Sequence, residues 1–255
     1  MQVRLFKVRI IPYLFLSKNP PAAYTAGGGR MMRICFVTSG SLADYTERQS
    51  AGQTDVILCG FQALGEVSYE RELKGETGLF ADVALLSRER RCTVISGCFT
   101  DARGMHRKSV VVADKGRVLG VSDMVNRIDG GAYRAGAGVK IYETSAGKLG
   151  IVVAEDLYFS RVIETLSVCG ADAAVCIFEQ LTEGLEPVLA RAQAFLCGIP
   201  VILCGYGYSL IADIGGKVRF ASAKSPCLYD LEKEQEYHLV ETRRRGFFRS
   251  GRKGF

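Results

Sequence analysis

From Met32 onward, short apolar runs rich in β-formers alternate with stretches whose apolar residues recur at helical spacing, and glycine turns separate them. The strand-like runs are 33–38, 55–59, 92–99, 108–113, 116–121, 139–144, 147–153, 173–178, 199–205, 209–213 and 218–221. Helical periodicity covers 77–90, 160–169 and 185–196. In the first of these, Leu79, Val83, Leu86 and Arg90 fall on one face, with Phe80 and Ala84 beside them. The runs DVILC and GIVVA are apolar almost throughout, which predicts strands buried on both faces and helices covering the outside. Asp114-Lys115-Gly116 and Gly215-Gly216-Lys217 each join two strand-like runs and read as hairpin turns. Helix-covered strands mixed with hairpins predict an α/β sandwich and not a simple doubly wound sheet.

Composition changes this picture little. With 255 residues the chain can bury one sizeable core, and no stretch of 18 apolar residues predicts a helical membrane span. The net charge of +6 is informative only once located. Residues 1–30 carry five basic residues and no acid, and residues 243–255 carry six basic residues and no acid. The body between them holds 22 basic against 27 acidic residues. A nucleic-acid binder is expected to carry its basic stripe on the folded body, so this distribution argues against nucleic-acid binding. Nine cysteines form no CxxC pair, and there are only two histidines, so no metal site is expected. Unpaired thiols within apolar runs suit a reducing cytoplasm. No GxGxxG or GxxxxGK[ST] motif is present, and no cofactor is expected.

Residues 1–30 are excluded from the expected fold. Their basic start and short apolar run resemble a signal peptide, but Pro12 breaks the run and a thiol-rich body follows. The preferred expectation is a translation start at Met31 or Met32, with GGGR just upstream reading like a translated ribosome-binding site. The organisation is then an extension (1–30), a single domain (31–242) and a basic tail (243–255).

Four stretches, in order, carry a resemblance to a known family. TDVILCGFQALGE (54–66) is similar to an aspartate and apolar strand leading to Pro-Glu. DKGRVLGVSDMVNRI (114–128) resembles a hairpin leading to Tyr-x-Lys. The longest stretch, 134–177, resembles an edge strand, a Gly-Lys-x-Gly hairpin and a buried strand that ends at a catalytic cysteine, followed by a helix and Gly170-Ala171-Asp172. Residues 190–222 resemble an Ala-Arg-Ala helix, a strand, and the hairpin phrase Gly207 to Asp213. The family is the nitrilase superfamily of carbon–nitrogen hydrolases. The resemblance implies a four-layer αββα sandwich, a small amide-like ligand and a homodimer. Against the family pattern, only 16 residues separate Thr38 from Asp55, and 41–53 lacks apolar periodicity, so the first helix is expected to be shortened or lost.

Family chemistry, as the resemblance implies it, uses a cysteine thiolate, a glutamate base and a lysine that stabilises the tetrahedral intermediate. The cysteine position falls on Ala154, the glutamate position on Phe61 and the lysine position on Met124. None of these side chains can attack a carbon, move a proton or carry a charge. Phe61, Met124 and Ala154 are expected to fill the pocket, each of the two larger side chains contributing about 1.5–3 kcal/mol on burial.

Other groups define the alternatives. Glu155 and Asp156 could form a charged site at the strand end, or Asp156 could cap the following turn. Glu66 is either a displaced base or a solvated loop acid, and Cys59 and Cys176 are either core thiols or relocated nucleophiles. Arg191 is expected in an ion pair. The leading expectation is a catalytically inactive carbon–nitrogen hydrolase relative that binds a ligand or regulates a partner. Against it stands an active amidase built from displaced residues, with Glu66, Lys140 and Cys59 or Cys176 as candidates. A third class is a nucleic-acid or membrane-surface binder acting through the basic termini.

Overall fold

The computed structural model describes residues 31–48, 53–128, 131–180 and 184–232. The expected extension and basic tail lie outside these residues.

The chain forms two mixed sheets. The first contains β1 (Met32–Val37), β2 (Val56–Cys59), β3 (Glu66–Ser68), β4 (Thr93–Ala102), β5 (Met105–Asp114), β6 (Arg117–Asp123) and β13 (Cys227–Leu231), in the order β13-β1-β2-β4-β5-β6 with β3 paired to β4. The second contains β7 (Lys140–Thr144), β8 (Gly147–Val153), β9 (Ala173–Ile177), β10 (Val201–Gly205), β11 (Tyr208–Ala212) and β12 (Val218–Ser222), in the order β12-β11-β10-β9-β8-β7. Each sheet has a parallel centre, β1-β2-β4 and β8-β9-β10, extended by antiparallel hairpins. Helices α1 (Leu42–Arg48), α2 (Tyr69–Leu73), α3 (Leu79–Arg90), α4 (Ser160–Val168) and α5 (Leu185–Cys197) complete the fold.

Side-chain alternation assigns the layers. Ile34 and Phe36 of β1, Val56 and Leu58 of β2, Leu149, Ile151 and Val153 of β8, and Val175 and Ile177 of β9 meet in one cluster between the sheets. Their strand neighbours face outward. Cys35, Ile57, Cys59 and Val94 pack with Val83 and Leu86 of α3, while Val152, Ala174 and Cys176 pack with Ile163 of α4 and Ala190 of α5. Three interlayer cores require four layers, so the architecture is the αββα sandwich.

The strand-like and helix-like runs appear within a few residues of their expected positions. β4 and β5 are longer than expected, ten residues each, because they pair with one another along their whole length, including the polar end Asp101↔His106. Four elements were not foreseen: α1, α2, β3 and β13. The first helix is shortened and not lost. A reciprocal pair, Ser41 N to Asp44 Oδ2 (3.0 Å) and Asp44 N to Ser41 Oγ (3.1 Å), caps it despite its weak periodicity. The Gly78 N-cap of α3 has no side chain, and Glu72 of α2 supplies the acceptors instead, to Leu79 N (3.0 Å) and Phe80 N (3.3 Å).

Candidate functional site

The three positions of interest sit at strand ends along one edge of the sandwich. β8 ends at Val153, and the chain turns sharply into a 3-10 segment, Ala154–Tyr158. The turn gives Ala154 a φ of +45°, left-handed backbone that costs an L-residue on the order of 1 kcal/mol. A strained elbow of this kind thrusts one side chain out of the strand. Here that side chain is a methyl, 1% exposed.

Phe61 begins the 3-10 turn that follows β2 and is also 1% exposed. Its ring occupies space left by Gly97 of β4, where a Cβ would lie 2.7 Å from the ring, and it packs at 5.0 Å against Phe99. Met124 follows β6, held by its N–H to Lys108 O (2.9 Å) and by Gly136 N–H to its own carbonyl (2.7 Å). All three side chains belong to the core between the sheets.

Beside this apolar plug lies a charged cluster. Lys108 of β5 places its Nζ 2.6 Å from Glu155 Oε1 and 3.5 Å from Glu179 Oε2, with the Tyr133 ring centroid at 5.4 Å. Burial opposes the Lys108 charge, but the Glu155 hydrogen bond and the fields of both glutamates outweigh it, so its pKa lies above the ordinary 10.5. This lysine stays an ammonium and is no nucleophile. Glu155 Oε2 is buried and has no hydrogen-bond partner among the described residues. Tyr133 is raised first by its burial and then by Glu179, Glu66 and Glu155, while Lys108 acts in the opposite sense.

An open cleft of about 240 Å³ adjoins the cluster, lined by Phe61, Gln62, Phe99, Glu179, Gln180 and Tyr206. The Gln62 carboxamide folds back over Gly60, where any Cβ would collide with it. Neither its oxygen nor its nitrogen makes a hydrogen bond among the described residues.

The remaining candidates are dispersed. Asp156 neither caps the next turn nor faces the cleft. Its carboxylate accepts from Val125 N (2.9 Å), Asn126 N (2.7 Å) and Asn126 Nδ2 (2.9 Å), pinning the chain that leaves Met124. Burial raises its pKa, and these same hydrogen bonds act against that rise. Glu66 is exposed, and lies on β3 opposite Phe99 and not in a loop. Lys140 is exposed and donates to Val121 O. Arg191 makes no ion pair in the described structure; its Nε donates to Gly216 O (3.0 Å).

Cys59 is buried on the outer face of the first sheet and Cys176 on the outer face of the second, so the two face opposite sides of the molecule. Burial holds the thiols of both above their ordinary value. The displaced set of Glu66, Lys140 and either cysteine is therefore not brought together.

Sequence reasoning missed Lys108, Glu179, Tyr133, Phe99 and Gln62. Register could have exposed one pair. Val153 pairs with Ile177 in parallel strands, so Glu155 and Glu179, each two residues further on, emerge side by side. Lys108 had no such signal, because only the β5–β6 pairing sets it opposite Met124.

No family model matches the chain, and no curated protein matches it. Solved structures do. A C145S mutant of the Nesterenkonia AN1 nitrilase-superfamily amidase aligns at TM-score 0.67 and 16% identity, over 84% of this chain and 95% of that one. The carbon–nitrogen hydrolase of Helicobacter pylori G27 gives 0.65 and 17%, over 80% and 89%. Saccharomyces cerevisiae Nit3, from branch 10 of the nitrilase superfamily, gives 0.66 and 16%, over 79% and 90%. In the Nesterenkonia amidase an active-site cysteine takes up acrylamide. The fold of this chain is that of the nitrilase superfamily.

Proposed function

We propose that this protein is a nitrilase-fold relative that no longer hydrolyses carbon–nitrogen bonds and keeps the cleft beside Phe61 as a binding site for a small amide-like ligand, serving a binding or regulatory role. The observation that carries the loss of chemistry is the elbow: backbone strain is retained at Ala154, while the side chain presented is a methyl. A methyl cannot form an acyl intermediate. Around it, the base and lysine positions hold Phe61 and Met124, both packed in the core. Lys108 and Glu155 supply charge nearby, but they neutralise each other and have no nucleophile to serve.

The test is a hydrolysis screen of amides, nitriles and carbamoyl compounds with the wild type and Ala154→Cys. Neither is expected to turn over, because the family's catalytic groups act as a unit and one thiol alone restores little. Robust turnover by the wild type would overturn the reading. A cytoplasmic setting is favoured by nine free cysteines. A homodimer is proposed through the outer face of α5, where Leu185, Val188 and Leu196 are about half exposed at helical spacing.

A further inference from the structure

We propose that the cleft takes a small, flat organic cation, such as an amidinium or guanidinium group on an aromatic or similarly compact body, with Glu179 as its counter-charge. The inference rests on the ligand-binding reading above and specifies the charge of the ligand.

Charge comes first. Glu66, Glu155 and Glu179 all act on the Tyr133 phenol at the edge of the cluster, against the single ammonium of Lys108. That ammonium is already claimed, at 2.6 Å by Glu155 and 3.5 Å by Glu179. An anionic ligand would meet two uncompensated carboxylates and no free cation in this cluster, whereas a cation would meet its complement.

Shape and polarity agree. Phe61, Phe99 and Tyr206 give the walls ring faces and edges, and a cation over an aromatic face gains attraction that grows as water is excluded. Four groups offer acceptor oxygens that a planar N–H donor can use: the Glu179 carboxylate, the Gln62 and Gln180 carboxamides at the wall, and behind them the orphaned Glu155 Oε2. Glu179 reaches Lys108 at only 3.5 Å, and its side chain is 51% exposed, so it can turn to a ligand while Glu155 retains the lysine. The volume, about 240 Å³, exceeds the ~150 Å³ that accommodates benzene in an apolar cavity.

The experiment compares three isosteric probes by calorimetric titration of the full chain at low and high salt: benzamidine (cation), benzamide (neutral) and benzoate (anion). Benzamidine is expected to bind about tenfold or more tighter than benzamide, the difference shrinking in high salt, and benzoate weakest, as a charge-assisted hydrogen bond predicts. Glu179→Gln, on an exposed side chain that the fold does not depend on, is expected to remove that advantage and leave benzamide binding within about twofold. If benzamide binds as well as benzamidine, or Glu179→Gln leaves benzamidine unaffected, the cation inference falls while the ligand site stands. Binding by none of the three at millimolar concentration overturns both.

Discussion

Phe61 and Gly97 are two halves of one packing solution. The ring lies where a side chain at 97 would be, with a Cβ there 2.7 and 2.9 Å from ring atoms and 3.0 Å from Ile177. Interiors are packed too densely to absorb such overlap. Gly97→Ala is therefore expected to destabilise by about 1–3 kcal/mol, and Phe61→Ala by about 3–5 kcal/mol. In the double variant the new methyl enters space that the ring has vacated, so the combined loss should fall short of the sum by about 1 kcal/mol or more. Chemical denaturation of the four proteins measures this, and strict additivity would refute the contact. The same geometry explains why a carboxylate could not simply be restored at 61. It would be buried against a glycine and Ile177 with no donor assigned to it.

At the scale of elements, each helix answers to the sheet it covers, except on the outer side of α5. Ala190 and Ala194 pack inward, while Leu185, Val188 and Leu196 face away from the core. A soluble helix normally turns its apolar stripe to one side, so a second stripe calls for a second partner. Val188→Lys and Leu196→Lys together are expected to shift sedimentation from dimer to monomer with the circular dichroism spectrum unchanged. A wild type that is monomeric at micromolar concentration removes the dimer. Elements also explain how the cleft is framed. Asp156 ties the residues after β6 to the elbow after β8, coupling one strand end of each sheet. Two of the candidate positions, Met124 and Ala154, are thereby held in fixed relation by a group that sequence reasoning had set beside the next turn.

For the whole molecule, the thiols report how completely the layers close. Cys169 is exposed and Cys227 partly so, while the other seven cysteines are buried, and Cys92 is pushed to about 12 chiefly by desolvation. Native protein is expected to label rapidly at Cys169, more slowly at Cys227, and at the remaining seven only on unfolding, as read by mass spectrometry. Fast modification of Cys59 or Cys176 would instead reveal a reactive thiol and reopen the case for catalysis.

Much of this architecture was legible in the chain alone. Apolar runs without polar alternation demand cover on both faces, glycine turns mark the hairpins, and the residue types at 61, 124 and 154 exclude the family's chemistry wherever they lie. Local periodicity carries such information because burial imposes it residue by residue. The short elements were hidden, since α1 depends on a two-residue cap and β3 on pairing with the overlong β4. Only tertiary structure could bring Lys108 to Glu155 and Glu179, set Phe61 over Gly97, and send Cys59 and Cys176 to opposite faces. Those relations join residues tens of positions apart through strand order and register, and no local pattern records which strands become neighbours.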